Sequence, residues 1–305
     1  MGWNRPREVE PLPLRLDRRR IFVLPTGYGT FVSALLLAML VGALNYNNNP
    51  ALLLAFVLSA SALYGLVQAQ LTLSGVRLAA LHAAPVHAGQ PLQLRVDLEA
   101  EPARPRRGLE LLVGGRRTTF SMAPGERTEV ALALPTAARG WWSPGRVRLS
   151  TIQPFGLARA WSWLRPDVRL LVYPALESNA PPLPEGDGGR PTQRRSPFGD
   201  EFHHLREYRA GDPTRRIAWR PSARSGRLLV REHEEVAGRE LVLDWHALEA
   251  LPHEARIRRL ARWVVDADRA GARYRLRLPR ETLGPAHGPD HRHACLRALA
   301  LLPPA

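Results

Sequence analysis

The stretch from Phe198 to Glu232, FGDEFHHLREYRAGDPTRRIAWRPSARSGRLLVRE, holds the most selective chemistry in the chain. Arg206, Arg209, Arg220 and Arg224 surround the acids Glu201, Glu207 and Asp212. A guanidinium is a planar fork of donors that fits a carboxylate with two parallel hydrogen bonds. Two uses of that fork compete. One is an internal network of ion pairs and caps that fixes a turn of the fold. The other is an exposed surface that recognises a partner's acidic or main-chain groups. A third use, acid–base catalysis by Glu201, Glu207 or Asp212, requires a carboxylate in a cleft with a shifted pKa. Within the stretch, Gly211-Asp212-Pro213 reads as a helix start. Gly211 permits the turn, Asp212 caps, and Pro213 suits the first helical position. Arg215, Arg216 and Trp219 then fall on one short helix.

Other reactive residues carry less. His287, His291 and His293 sit together near the C-terminus, and His203 and His204 lie in the arginine-rich stretch. A transition-metal site needs converging ligands with outer support; residues His287 to Asp290 read instead as a solvated Gly/Pro loop. Cys295 is the only cysteine, so no disulfide within the chain and no cysteine-rich zinc site can form. Its neighbours Ala294, Leu296, Ala298 and Leu299 suggest a small core residue. The sequence contains no Ser-His-Asp order, phosphate-binding glycine loop or H-E-x-x-H helix. The expectation is therefore no metal, no small-molecule cofactor and, on balance, no enzyme.

What must position the arginine-rich stretch begins with a membrane. From Ile21 through Val76 there is no Asp, Glu, Lys, Arg or His. A charge at the centre of a bilayer costs about 2.5–3.5 kcal/mol on insertion scales. Gly27–Leu44 and Ala51–Leu71 are each near the roughly 20 apolar residues that span hydrocarbon. Asn45 to Pro50 separate them as a polar, uncharged turn, with Pro50 poised to open the second helix. The pair reads as a two-pass transmembrane hairpin in an inner (plasma) membrane. Arg18, Arg19 and Arg20 flank its start, so the positive-inside rule places both termini in the cytoplasm.

Composition bounds the rest. All 43 Lys+Arg residues are arginine, and the net charge is +15. The charge is spread among acids rather than gathered in one tail, so nucleic-acid binding is not expected. Contact of the Arg5–Arg20 leader with anionic lipid is the best functional use of it. Residues 72–176 alternate over short runs such as Leu92–Leu98 and Val130–Leu134, broken at Gly/Pro pairs, which suggests an antiparallel β-sandwich. Arg139–Trp142 and Pro154–Leu157 read as strand-edge turns carrying aromatic plugs, and Trp161 and Trp163 could share one strand face. The Pro/Gly-rich residues 177–197 read as a linker. Residues 198–305 then form a small α/β module: strands at Leu228–Val230, Leu241–Leu243 and Tyr274–Leu278, a helix over Pro252–Ala270 with Ile257, Leu260, Ala261, Val264 and Val265 on one face, and a closing helix over His293–Leu302. The fold class is multi-domain α+β, with a basic leader over 1–26 and the hairpin over 27–71.

The spacing of Phe202, Leu205, Arg206, Tyr208, Gly211, Asp212, Arg215, Ile217, Trp219, Ser222, Ala223 and Arg224 resembles the hallmark of the domain-of-unknown-function 58 family. The pattern's leading glycine is replaced here by Asp200. The flanks agree: a membrane hairpin, then Pro154-Phe155-Gly156-Leu157 and Val172-Tyr173-Pro174. The resemblance implies a membrane-side partner of a MoxR-type AAA+ ATPase or a von Willebrand factor A-like protein, in assembly or stress pathways. It also implies a C-terminal part similar to the von Willebrand factor A fold, here truncated. A metal-binding version of that fold needs Asp-x-Ser-x-Ser, because hydroxyls and a carboxylate must meet one cation. Here His246 and Leu248 follow Asp244 at the hydroxyl positions, so Asp244 reads as a strand-end cap. The leading expectation is a membrane-anchored scaffold that docks a partner through the hallmark arginines. The alternatives are an envelope-associated enzyme using the hallmark carboxylates, and an anionic-lipid-binding module.

Overall fold

A computed structural model of the chain describes residues 9–101, 104–184, 201–207, 222–223, 226–234 and 240–304, with backbone alone over 201–207 and 229–234. They form a mixed α+β protein in two compact units, Met1–Tyr173 and Pro174–Ala305.

The first unit opens with two short strands, β1 (Leu14–Arg15) and β2 (Phe22–Pro25), within the basic N-terminal segment. Two long helices follow, α1 (Gly27–Asn45) and α2 (Asn49–Leu73). Each has a side-chain cap. The Thr26 hydroxyl oxygen accepts from the Gly29 amide at 3.0 Å, and Asn48 Oδ1 accepts from the Ala51 amide at 3.1 Å. Pro50 lies in the first turn of α2, where a missing N–H costs nothing. Both helices are apolar all round, and only 11% of the most apolar stretch of each is buried. Phe31, Leu37, Leu44, Leu53 and Leu63 are among the exposed side chains. The core helix of a soluble fold would hide these faces, whereas a bilayer accepts them. By length and composition, both helices can cross a membrane. The Ser33 and Ser61 hydroxyls donate to the carbonyls of Gly29 and Val57, each at 2.8 Å, so they are satisfied within their own helices.

Ten strands follow in this unit: β3 (Val76–His82), β4 (Val86–His87), β5 (Leu92–Ala100), β6 (Arg106–Val113), β7 (Arg116–Met122), β8 (Arg127–Leu134), β9 (Gly140–Trp142), β10 (Val147–Thr151), β11 (Ala158–Leu164) and β12 (Leu170–Tyr173). They make an antiparallel sheet β1-β3-β5-β8, an antiparallel sheet β2-β11-β10-β6-β7, and a small sheet β4-β12-β9 whose β4–β12 pair is parallel. Alternation sends Leu92, Leu94, Val96 and Leu98 inward from the first sheet, and Leu109, Leu111, Val113, Val147 and Leu149 inward from the second. These meet in one apolar core, which also takes in Leu14, Leu16 and Ile21 from the N-terminal segment and Ala69 and Leu73 from α2. The basic segment therefore supplies an edge strand to each large sheet. Gly140–Trp142 forms strand β9 rather than a turn: its backbone pairs with β12, and Trp142 packs on the core while Trp141 stays exposed.

In the second unit, β13 (Glu201–Glu207) and β14 (Leu229–Glu234) form an antiparallel pair. Next come β15 (Leu241–Asp244), α3 (His253–Arg269), β16 (Tyr274–Arg277), β17 (Thr282–Ala286) and α4 (Pro289–Leu301). β15 and β16 are parallel neighbours joined through α3, and β17 adds antiparallel to β16. The apolar face of α3 is buried through Ile257, Leu260, Ala261, Val264 and Val265. Strand β17 was not anticipated, because Gly284-Pro285 interrupts its pattern. Helix α4 starts at Pro289, four residues before the expected His293: Gly288 takes φ +93°, and Pro289 then suits the first turn. The first residues of the expected linker are tied to α3. Both Glu177 carboxylate oxygens accept from Arg259 at 2.8 Å, and the Trp263 indole N–H donates to the Pro181 carbonyl at 2.9 Å.

Candidate functional site

Of the hallmark residues, Phe202, Leu205 and Arg206 lie in β13. The β13–β14 register sets Phe202 opposite His233, Leu205 opposite Arg231 and Arg206 opposite Val230, with an irregularity between Phe202 and His204. Ser222 is buried and Ala223 exposed, both in helical conformation. Tyr208, Gly211, Asp212, Arg215, Ile217, Trp219 and Arg224 lie outside the described residues. Glu201 and Glu207 occupy the two ends of β13. At about 3.3 Å per residue their backbones stand roughly 20 Å apart, whereas carboxylates that share one bond sit within about 10 Å. The two cannot act together on one scissile bond.

The lesser candidates occupy defined places in the second unit. Asp244 ends β15, and its Oδ1 accepts from the His246 amide at 2.9 Å while Arg277 approaches at 3.6 Å. That is the geometry of a strand-end cap. His291 is not on a solvated loop. It sits half-buried in α4, with its Nε2 3.0 Å from the Tyr274 carbonyl and 3.6 Å from the Cys295 sulfur. His293 is exposed. Cys295 is fully buried, and burial pushes its thiol up to about 12, so the thiolate nucleophile is suppressed. Burial also raises the Tyr274 phenol, which has no hydrogen-bond partner among the described residues.

The first unit holds two clusters that sequence reasoning missed. On the outer face of β3-β5-β8, the ligand atoms of His82, Asp97 and Glu129 lie within 4.8 Å of one another. This is a spacing that could hold a cation. Arg127 is already 2.8 Å from Asp97, and Arg95 is 3.3 Å from Glu129. The group is thus part of a ladder of ion pairs that continues through Arg77–Glu99 and Arg15–Glu101.

The second cluster joins the apolar helices to the sheets. The 154–157 loop touches both helices. Thr26 donates its amide to the Leu157 carbonyl at 2.9 Å and its hydroxyl to the Gly156 carbonyl at 2.6 Å. Gly29 of α1 lies directly against Leu157, and Gly65 of α2 against the Phe155 ring. At the end of α2, at the same foot of the hairpin, Arg106 is 1% exposed and donates from Nη1 to the carbonyls of Thr72 at 2.7 Å and Ser74 at 2.6 Å. These are orphan acceptors at the C-terminus of α2, where a positive charge also meets the negative end of the helix dipole. Burial lowers the Arg106 pKa, and Glu101 opposes that shift. Arg106 comes directly after β-strand-breaking residues and beside Arg104 and Arg107, so composition does not distinguish it from its exposed neighbours.

At the foot of α1, an open cavity of about 480 Å³ is lined by Leu24, Thr26, Arg148, Arg159, Trp161 and Trp163, among others. Arg159, Trp161 and Trp163 alternate with buried Ala160 and Ser162, so strand β11 turns all three to one side, as the sequence led one to expect for the tryptophans. The register places Leu24 beside Arg159, Phe22 beside Trp161 and Arg148 beside Trp163. Phe22 stacks on Trp161, and the Arg148 guanidinium lies 5.7 Å from the Trp163 ring centre. Arg148 also pairs with Glu110 at 3.1 Å. Arg159 has no carboxylate partner among the described residues.

Residues 204–252 match the family model described as protein of unknown function DUF58. The matched segment starts inside β13, takes in β14 and β15 with Asp244, and ends just before α3. It contains the hallmark positions from Leu205 to Arg224 but not Phe202. No curated protein matches the chain.

Proposed function

We propose that this chain is a membrane-anchored scaffold: α1 and α2 cross the bilayer, both termini lie in the cytoplasm, and the hallmark segment docks a protein partner. The observation that carries the reading is the exposure of two long apolar helices together with their fixation at the foot. Thr26, Gly29, Gly65 and Arg106 tie the helices to the sheets, so they emerge from the folded body as a fixed pair rather than as a loose tail. The three basic residues Arg18–Arg20, just before α1, support cytoplasmic termini. The DUF58 match over 204–252 covers the hallmark positions from Leu205 to Arg224 and supports them as the segment shared with that family. Following the resemblance, the proposed partner is a MoxR-type AAA+ ATPase or a von Willebrand factor A-like protein, and the β15–α3–β16 unit is proposed to be a von Willebrand factor A-like module.

The test is co-purification of a MoxR-type ATPase with the full-length protein in detergent, using wild type and the R206A, R215A and R224A variants. The expected result is a complex with wild type and its loss in the variants, with unchanged thermal unfolding. Equal capture by wild type and correctly folded variants removes the docking role from these arginines.

A further inference from the structure

We propose that the cavity at the foot of α1 binds the phosphate headgroup of an anionic phospholipid, with Arg159 as the principal cation and Arg148 as the second. The inference rests on α1 and α2 spanning the bilayer, and it adds a defined lipid site to that reading.

Depth supports it first. Helix α1 has 19 residues, a rise of about 28 Å at 1.5 Å per residue, close to the roughly 30 Å of a hydrocarbon core. The start of α1 therefore lies at the inner edge of the headgroup layer, which is about 5–8 Å thick on each side. Arg159 is in register with Leu24, three residues before Gly27. That puts its backbone about 10 Å below the helix start, with a side chain long enough to reach back into the headgroups. Trp161 and Trp163 follow on the same face, deeper in the cavity and further from the bilayer. Leu24 is 58% exposed at the rim of the cavity.

Charge supports it second. Arg148 is held in place by Glu110, which also accepts from Ser150 at 3.3 Å, and by the Trp163 ring. Glu110 offsets the Arg148 charge, and Arg159 remains as the net positive group facing the cavity. A guanidinium fork matches a phosphodiester in the way it matches a carboxylate. Attachment of the cavity to the helix entry favours a lipid over a free solute, since the ligand's glycerol and chains would continue along α1.

Full-length protein in detergent is titrated with phosphatidylglycerol or chain-matched phosphatidylcholine, and retained lipid is counted by native mass spectrometry. Wild type is expected to retain phosphatidylglycerol preferentially, and R159Q to lose about fivefold of that preference, the value of one basic residue at a membrane surface. R148Q/R159Q should lose more, and R107Q, a change outside the cavity, none. An undiminished preference in R159Q with wild-type thermal unfolding overturns the site. Millimolar glycerol 3-phosphate should not displace the lipid; full displacement would assign the cavity to a soluble phosphate ester and overturn the lipid assignment. In parallel, the protein is reconstituted into vesicles and washed with alkaline carbonate. Release from the vesicles defeats the membrane reading itself, whereas retention without lipid preference defeats only the site.

Discussion

Gly29→Ala tests the joint between helix and sheets at a single atom. A Cβ at position 29 would sit 1.8 Å from the Leu157 carbonyl oxygen and 2.7 Å from its carbonyl carbon. Both are backbone atoms, so no flexible side chain can yield. Restoring an ordinary contact of 3.4 Å requires a separation of about 1.6 Å between α1 and the 154–157 loop. A shift of that size breaks the bonds from the Thr26 amide at 2.9 Å and the Thr26 hydroxyl at 2.6 Å. At about 1 kcal/mol for each bond, the expected loss is about 2 kcal/mol. For a unit of this size that corresponds to a fall in Tm of roughly 4–8 °C. The control is Gly42→Ala in the same helix. Nothing lies within 4 Å of its added Cβ, and alanine favours helix over glycine by up to about 1 kcal/mol. Thermal unfolding of both variants in the same detergent, followed by circular dichroism, gives the comparison. If G29A and G42A unfold at the same temperature, the loop does not clamp α1 and the fixed-hairpin argument is wrong.

Replacing Arg106 with Met leaves the carbonyls of Thr72 and Ser74 unsatisfied beside the core. The expected cost is about 3 kcal/mol for two charge-assisted bonds, with partial rescue by Lys, measured by chemical unfolding in detergent. The second unit should show acid-sensitive stability. Hydrogen bonds from Arg259 hold the Glu177 carboxyl below its ordinary value. A carboxyl depressed on folding contributes stability that is present above the unfolded value near 4.3 and lost as pH falls through the lower folded value. Glu177→Gln should flatten the stability profile below about pH 4.5 and leave its shape above pH 6 unchanged; an identical acid limb in E177Q would remove Glu177 from the account.

Much of the architecture is legible in the chain because local rules govern it. The apolar helices declare themselves by the missing charges between Ile21 and Val76, and Thr26, Asn48 and Pro50 mark where they start. The spacing of Ile257, Leu260, Ala261 and Val264 finds α3, and strict alternation finds β5 and β8. Strands β9, β13 and β17 are less visible, since glycine, proline or mixed charge disguises their period and only a partner strand stabilises them. His291 looked solvated because its neighbours Gly288 and Pro289 suggest a loop; the same two residues instead begin α4 and turn His291 onto Tyr274.

Residue order by itself determined that two apolar helices precede a strand-rich region and a βαβ unit, and that the arginine-rich stretch between them resembles a known family. Burial, alternation and capping are properties of consecutive residues, so a single strand of text can carry them. Only the tertiary structure decided which of 43 arginines is buried against the end of α2, that Gly29 and Gly65 are the contact points of one loop, and that Arg159, Trp161 and Leu24 line one cavity. Those assignments depend on strand register and on residues more than a hundred positions apart coming within hydrogen-bond distance, and an arginine reads the same in the sequence whether it meets water, a helix end or a lipid.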